Sequence, residues 1–449
     1  EVVVVVVELV EDVSVVVVLA EVVALVVELA DVDLEEVQRL LADIEAEVKP
    51  QIMPYYYCDG PVGEKGTWKH LPSGKVMSAD FDPLGIPRDE RKDYRYEGPE
   101  IIYTFWSKHG PCQVTGCGHR TPIMSSPVIA VKTLTVKHWE HVCSQCNGEF
   151  HVEESSARMA PNESLHVAPS EFPFSVLDRV KGVICPHCGY TTPVNLGAPK
   201  KPNKKVQLSL LVAPTWLAGS NKFDDAGMNL GGAAQDDAAS TARWSTERAK
   251  QASLIEVRGV LPDEFEHLGL TIKTSQGNVF GRGTYTCASC GTKQGVLSSV
   301  RASSKAAPFA AYAIQGVDPS LTVDAYNGRF FAPYETALAR QETAAMTEWE
   351  QRKDTDLESY WPKTVIPEGI TTTVKDVLPN GHGFTHWWTM FNPRQRLVHS
   401  LLLKAICTTG NYSTAAREAA LGAFQQYLRN QNLFCIWDSG YDKLVPHFS

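Results

Sequence analysis

Apolar residues recur with a helical period in two parts of the chain. Residues 33–48, DLEEVQRLLADIEAEV, predict an amphipathic helix, because a spacing of three and four places apolar side chains on one face. The apolar positions of that face are Leu34, Val37, Leu40, Leu41, Ile44 and Val48. Residues 333–352 predict a second helix, with Leu338, Met346 and Trp349 apolar among charged neighbours.

Two further helices are predicted near the C-terminus. Asn392 is a favourable N-cap, and Pro393 suits the first helical position, where its missing N–H costs nothing. Gly410 can end this helix, and another follows from about Ser413 to Arg429.

Between these helices the pattern favours strands. IIYTFWSKHG, from Ile101, and VQLSLLVAPTWL, from Val206, are strand-like, and residues 102–195 contain short β-type runs broken by Gly, Pro and Asn. The fold class indicated is α+β.

The organisation changes along the chain, and valine fills 16 of the first 28 positions. We divide the chain into a Val-rich segment with an amphipathic helix (1–50), a loop-rich connector (51–100), a first zinc-ribbon region (101–180), a second with a long insertion (181–300), a mixed strand and helix region (301–390) and a helical segment (391–449).

The composition limits the possible functions. The chain has 449 residues, is 43% hydrophobic and carries a formal charge of −10, which argues against a globally basic nucleic-acid binder. Acidic residues interrupt the valine runs, so no window of about 18 apolar residues predicts a membrane span. We therefore expect a cytoplasmic protein without a membrane partner.

Cysteines supply the strongest chemical signal. Eight of the 11 form four close pairs: Cys112 and Cys117, Cys143 and Cys146, Cys185 and Cys188, Cys287 and Cys290. Two cysteines on a tight turn can face one ion, and glycine or Asn-Gly follows the second cysteine of each pair. We expect two structural zinc ions; redox chemistry remains an alternative for a CxxC motif. The leftover Cys58, Cys407 and Cys435 are expected to be buried, inert thiols.

The assignment of pairs to ions is open. Sequential pairing, which joins Cys112 and Cys117 with Cys143 and Cys146, is preferred, since loop-closure entropy grows slowly with length. It leaves Cys185 and Cys188 with Cys287 and Cys290. The alternative joins the first pair with the third and the second with the fourth.

Weaker signals concern nucleic acid. A basic turn and a residue near the last pair could contact phosphate: Lys200, Lys201, Lys204, Lys205 and Arg282. No GxSxG, P-loop or GxGxxG motif occurs, so no catalytic residue is nominated.

Four segments resemble the zinc-ribbon-containing adenine-specific DNA methylase family. They are EIIYTFWSKHGPCQVTGCGHRTPIM, VKGVICPHCGYTTP, FTHWWTMFNPRQRLVHSLLLKAI and LRNQNLFCIWDSGYDKLVPHFS, within residues 100–449. The stretch Phe391–Gln395 is the most specific of them. The resemblance implies two zinc-ribbon-like β modules inserted in part of an α/β Rossmann-like methyltransferase, with C-terminal helices. It also implies S-adenosylmethionine-dependent methylation of adenine in DNA, in a defence or restriction-modification system with partner proteins.

The chain departs from that family at the catalytic motifs. FDPLG at Phe81 and FAPYE at Phe331 lack the paired prolines of Asp-Pro-Pro-Tyr, and the Gly-rich cofactor loop is absent. The chain is therefore similar to the middle region of such an enzyme. S-adenosylmethionine is expected for the parent enzyme only, and this chain alone is expected to be inactive. The alternative is a non-catalytic zinc-ribbon module that binds nucleic acid or is purely structural.

Overall fold

The computed structural model describes ten stretches of the chain. These are residues 33–193, 203–218, 222–223, 228–229, 246–280, 283–301, 309–321, 326–367, 384–441 and 443–445.

Within the described residues, six α-helices have both ends defined: α1 (Leu34–Ile52), α2 (Pro214–Leu217), α3 (Val296–Arg301), α4 (Thr336–Arg352), α5 (Pro393–Thr408) and α6 (Thr414–Asn430). Single 3-10 turns or short 3-10 helices lie at Met53–Tyr55, Pro83–Gly85, Arg88–Asp93, Pro319–Leu321 and Trp387–Met390.

The strands of the first half are β1 (Thr67–His70), β2 (Lys75–Val76), β3 (Tyr94–Glu97), β4 (Glu100–Pro111), β5 (Arg120–Ile123), β6 (Val128–Val142), β7 (Glu149–Glu153), β8 (Ser164–Val167), β9 (Phe174–Val176), β10 (Val183–Ile184), β11 (Thr191–Thr192) and β12 (Asn203–Val212). Those of the second half are β13 (Lys222–Phe223), β14 (Met228–Asn229), β15 (Leu254–Arg258), β16 (Glu264–His267), β17 (Leu270–Lys273), β18 (Val279–Phe280), β19 (Thr284–Thr286), β20 (Lys293–Gly295), β21 (Phe309–Val317), β22 (Arg329–Pro333), β23 (Ile436–Asp438) and β24 (Lys443–Val445).

Two larger sheets organise these strands. One has six strands in the order β8-β15-β12-β6-β7-β9, and the other has four in the order β22-β21-β4-β5. Among the described pairings, β15 with β8 and β7 with β9 are parallel, and the others are antiparallel. The mixed α+β class is confirmed, whereas the Rossmann-like core stays a prediction.

The four-stranded sheet lies between two cores. Ile101 and Trp106 of β4 pack in the core that contains the apolar faces of α1, α4, α5 and α6. Ile102 and Phe105 of the same strand pack in a second core with Leu208 of β12 in the six-stranded sheet. Every residue of β4 is therefore buried. The layers run from helices to small sheet to large sheet.

The helix predictions can be compared directly with the structure. In α1 the apolar face is buried as predicted, except that Leu34 remains 42% exposed at the first turn. The N-cap at Asn392 and the helix after Ser413 are confirmed. Of the apolar residues in α4, Leu338 and Trp349 are buried, whereas Met346 is 41% exposed. Helix α5 ends at Thr408, just before Gly410, whose φ is 58°.

Candidate metal centres

Each cysteine pair forms a turn between two antiparallel strands. The four turns connect β4 with β5, β6 with β7, β10 with β11, and β19 with β20. In three of them, the backbone N–H of the residue after the second cysteine donates to the carbonyl of the first cysteine, at 2.9 Å. Those residues, Asn147, Gly189 and Gly291, have φ of 57°, 75° and 71°. This left-handed conformation explains why Gly or Asn follows each second cysteine.

Site 1 contains Cys112, Cys117, Cys287 and Cys290, whose sulfur atoms all lie within 4.8 Å of one another. The sulfur of Cys112 lies 3.6 Å from that of Cys290, and the sulfurs of Cys117 and Cys287 are 3.8 Å apart. Cys290 is exposed and the other three are buried. Site 1 therefore joins the end of the four-stranded sheet to the β19–β20 hairpin.

Site 2 contains Cys143, Cys146, Cys185 and Cys188, also within 4.8 Å of one another. Two sulfur pairs, Cys143 with Cys188 and Cys146 with Cys185, are each 3.7 Å apart. The first cysteine of each turn is buried and the second is exposed. Site 2 therefore joins the β6–β7 hairpin to the small β10–β11 hairpin.

Both pairings considered from the sequence are wrong. The second cysteine pair meets the third, and the first pair meets the fourth, so the two groups are nested along the chain. The strand ends explain the nesting. The β6–β7 and β10–β11 turns lie at one end of the long strand β6. The β4–β5 turn is held against the β19–β20 hairpin by other contacts, which include a hydrogen bond of 2.7 Å from Gln113 N to Gln294 Oε1.

No protein-family model matches the chain, and no curated protein or solved structure matches it. In the described residues, no helix combines the length and the apolar character that a membrane crossing requires.

Side chains around the cysteines support the two groups. Gln294 donates from Nε2 to the sulfur of Cys112 at 2.9 Å, as an outer-shell partner of a metal ligand would. His187 contacts the carbonyl of Glu149 through Nε2 at 3.0 Å, which ties one turn of site 2 to the other. A Cβ on Gly148 would lie only 2.5 Å from Cδ2 of His187, so this contact requires glycine.

One thiol in each site is unusually acidic. Hydrogen bonds from the hydroxyl and the backbone N–H of Thr292 lower the pKa of Cys290 to about 6. In site 2, the backbone N–H of Cys146 lowers the pKa of Cys143 to about 6. Burial instead raises the pKa of Cys112 to about 12. Metal binding at either site would displace protons from the thiols that still carry them.

Of the five basic residues nominated for nucleic acid, only Lys204 and Lys205 lie within the described residues. Lys200, Lys201 and Arg282 lie outside the described residues. Lys204 and Lys205 belong to strand β12 rather than to a turn. Lys204 donates to Glu171 Oε1 at 2.5 Å, which neutralises its charge, whereas Lys205 is exposed.

The remaining cysteines divide by burial. Cys58 and Cys435 are buried as predicted, and burial raises the pKa of both thiols. Cys407 is exposed, so its predicted burial is wrong. Sequence reasoning missed Gln294 and Thr292. Their only signal is proximity to Cys290, since no spacing rule identifies a donor to a cysteine sulfur.

Proposed function

We propose that sites 1 and 2 each bind one zinc ion and that both ions are structural. A tetrahedron with Zn–S bonds of about 2.3 Å has sulfur–sulfur edges of about 3.8 Å. The four sulfur–sulfur distances given above, 3.6 to 3.8 Å, match those edges. This match carries the proposal, because disulfide sulfurs would lie only about 2.05 Å apart.

Four thiolates complete the coordination of each ion. A catalytic zinc keeps one position open for water or substrate, and neither group leaves one. The packing around site 1 also favours a structural role, since among the described residues its local buried cluster consists of three cysteines with Val114 packed against them. A metal would hold the two turns together next to the small apolar cluster of Ile123, Tyr285 and Val296.

X-ray absorption spectroscopy on the zinc-loaded chain tests this proposal. We expect four sulfur neighbours per zinc at about 2.3 Å and no light-atom neighbour. A fit that requires nitrogen or oxygen ligands would contradict two closed four-thiolate sites. A chain purified under reducing conditions without bound metal would contradict zinc binding altogether.

We further propose that this chain is the zinc-bearing region of an S-adenosylmethionine-dependent DNA adenine methyltransferase. Support comes from the four similar segments, most specifically Phe391–Gln395. A Rossmann-like core, DNA as partner and a role in a defence or modification system belong to the same proposal. Because the catalytic motifs are absent from the sequence, this chain supplies structure and DNA contact, and no catalytic residue.

DNA binding by the zinc-loaded chain tests this wider proposal. Phosphate contacts make the logarithm of the binding constant fall linearly with the logarithm of salt concentration, with a slope of about −0.9 per phosphate neutralised. We expect Lys205→Gln to reduce that slope and Lys75→Gln, an exposed change on β2, to leave it unchanged. Absence of DNA binding at low salt would instead favour the purely structural alternative.

A further inference from the structure

An aromatic cavity lies apart from both cysteine groups. It has a volume of about 500 Å³, within the usual range for small-ligand pockets. Indole rings dominate its wall, from Trp349 at the end of α4, Trp361 after that helix, and Trp387 and Trp388 in the 3-10 turn that precedes α5. The flat, apolar lining suits a planar ring.

The positively charged side chain of Arg396 forms part of this aromatic wall. The guanidinium carbon of Arg396 lies 4.7 Å from the ring centre of Trp388 and 5.5 Å from that of Trp349. Its Nε donates to the carbonyl of Phe391 at 2.8 Å. Burial lowers its pKa only to about 10, so the group stays charged at neutral pH. Within the described part of the chain, no carboxylate lies at ion-pair distance from Arg396, although the charges of Glu350 and Glu342 act on it from further away.

Two polar atoms on residues of the cavity wall are enclosed by the protein and shielded from the cavity itself. Trp349 Nε1 and His399 Nδ1 have no hydrogen-bond partner among the residues that the structure describes, although Trp349 is 1% and His399 7% exposed. Burial lowers the pKa of His399 to about 4, so the ring is neutral. Its Nε2 lies 3.2 Å from the carbonyl of Gln431 and must donate there, which leaves Nδ1 as an acceptor.

The indole rings and the guanidinium group of Arg396 define the ligand that this cavity suits. Arg396 keeps a charge that no described carboxylate pairs with, so the cavity suits an anionic group as well as a flat ring. The guanidinium suits an anion such as phosphate, and the indoles suit a stacked ring.

We propose that this cavity binds a nucleotide, with its base stacked on the indole rings and its phosphate held by Arg396. The site depends on neither metal group and extends the function proposed above. The same chemistry is present in a free nucleotide and in one unpaired nucleotide of a single strand, so the experiment separates these two sources.

Calorimetry and tryptophan fluorescence on the zinc-loaded chain test the site, with AMP, adenosine and inorganic phosphate as probes. We expect AMP to bind and to quench tryptophan fluorescence. Arg396→Gln should weaken AMP binding about tenfold, because it removes a charge-assisted phosphate contact, and should change adenosine binding less than about twofold. Arg396→Lys should retain part of the AMP affinity.

Matched variants separate this role from folding. Arg340→Gln is the matched control, because it also removes an arginine charge. Arg340 lies on α4 at an exposed position and is paired with Asp82, so its substitution should leave AMP binding unchanged. Trp388→Ala should weaken both AMP and adenosine. Thermal unfolding of each variant identifies any that fails to fold. If a variant fails, the phosphate contact is tested on the unchanged chain instead, which should bind AMP more tightly than adenosine.

Competition identifies the source of the nucleotide. Displacement of AMP by a short single-stranded oligonucleotide would assign the site to nucleic acid, and failure to displace it would assign the site to a free nucleotide. No AMP binding at about 1 mM, or equal affinity for AMP and adenosine, would overturn the proposal.

Discussion

The nested arrangement of the cysteine pairs makes a prediction that double substitutions can test. Changing Cys112 and Cys287 to serine together removes two ligands from the same ion, so the double variant should lose one zinc, as either single variant does. Changing Cys112 and Cys143 together damages both sites, and this double variant should lose both ions.

The cost in stability should differ between the sites. Site 1 links residues 170 positions apart, from Cys117 to Cys287, and site 2 links residues 39 apart, from Cys146 to Cys185. If each ion acts as a cross-link on the unfolded chain, the loop-closure relation gives about 5 kcal/mol for site 1 and about 4 kcal/mol for site 2. Loss of the site 1 ion should therefore destabilise the chain by about 1 kcal/mol more than loss of the site 2 ion.

The assay is zinc content per folded chain, followed by urea unfolding of the same samples. Cys407→Ser is the matched control, since this exposed cysteine belongs to neither group and should leave two ions bound. Retention of one zinc by the Cys112 and Cys143 double variant would refute the nested pairing, because only a site shared by these two cysteines leaves the other intact.

Two other perturbations test the helical layer. Asn392→Ala should lower the free energy of unfolding in urea by about 1 kcal/mol, because it removes the capping box in which Asn392 accepts from Gln395 N at 2.9 Å. Asn392→Ser should retain most of the stability. Equal losses for the two variants would contradict the capping role. His399 should make folding sensitive to acid. Its pKa of about 4 when folded lies below the value of about 6.5 expected when unfolded, so the unfolded state takes up the proton first as pH falls, and about 2 kcal/mol is lost between pH 7.5 and pH 5. His399→Leu should flatten that pH profile relative to the unchanged chain, and parallel profiles for the two would contradict the assignment.

Much of the secondary structure could be predicted from the sequence. The buried face of α1 follows the apolar spacing from Val37 to Val48, and the start of α5 follows from Asn392 and Pro393. The sequence could not tell which apolar residues of α4 are buried, because the surface against which a helix packs is unknown; Leu338 and Trp349 are buried and Met346 is exposed. Lys204 and Lys205 were assigned to a turn on charge and proline content, but their strand is formed by pairing with β6.

The sequence by itself determined the eight cysteines and the turns on which they lie, because two cysteines a few residues apart and a following Gly or Asn act within one local segment. Only the tertiary structure decided which turns share an ion. Loop-closure entropy differs by only about 1 kcal/mol between loops of 39 and 170 residues, so sequence spacing cannot choose among pairings. The choice depends on the packing of strands β4, β6, β10 and β19, which brings distant hairpins to the same point.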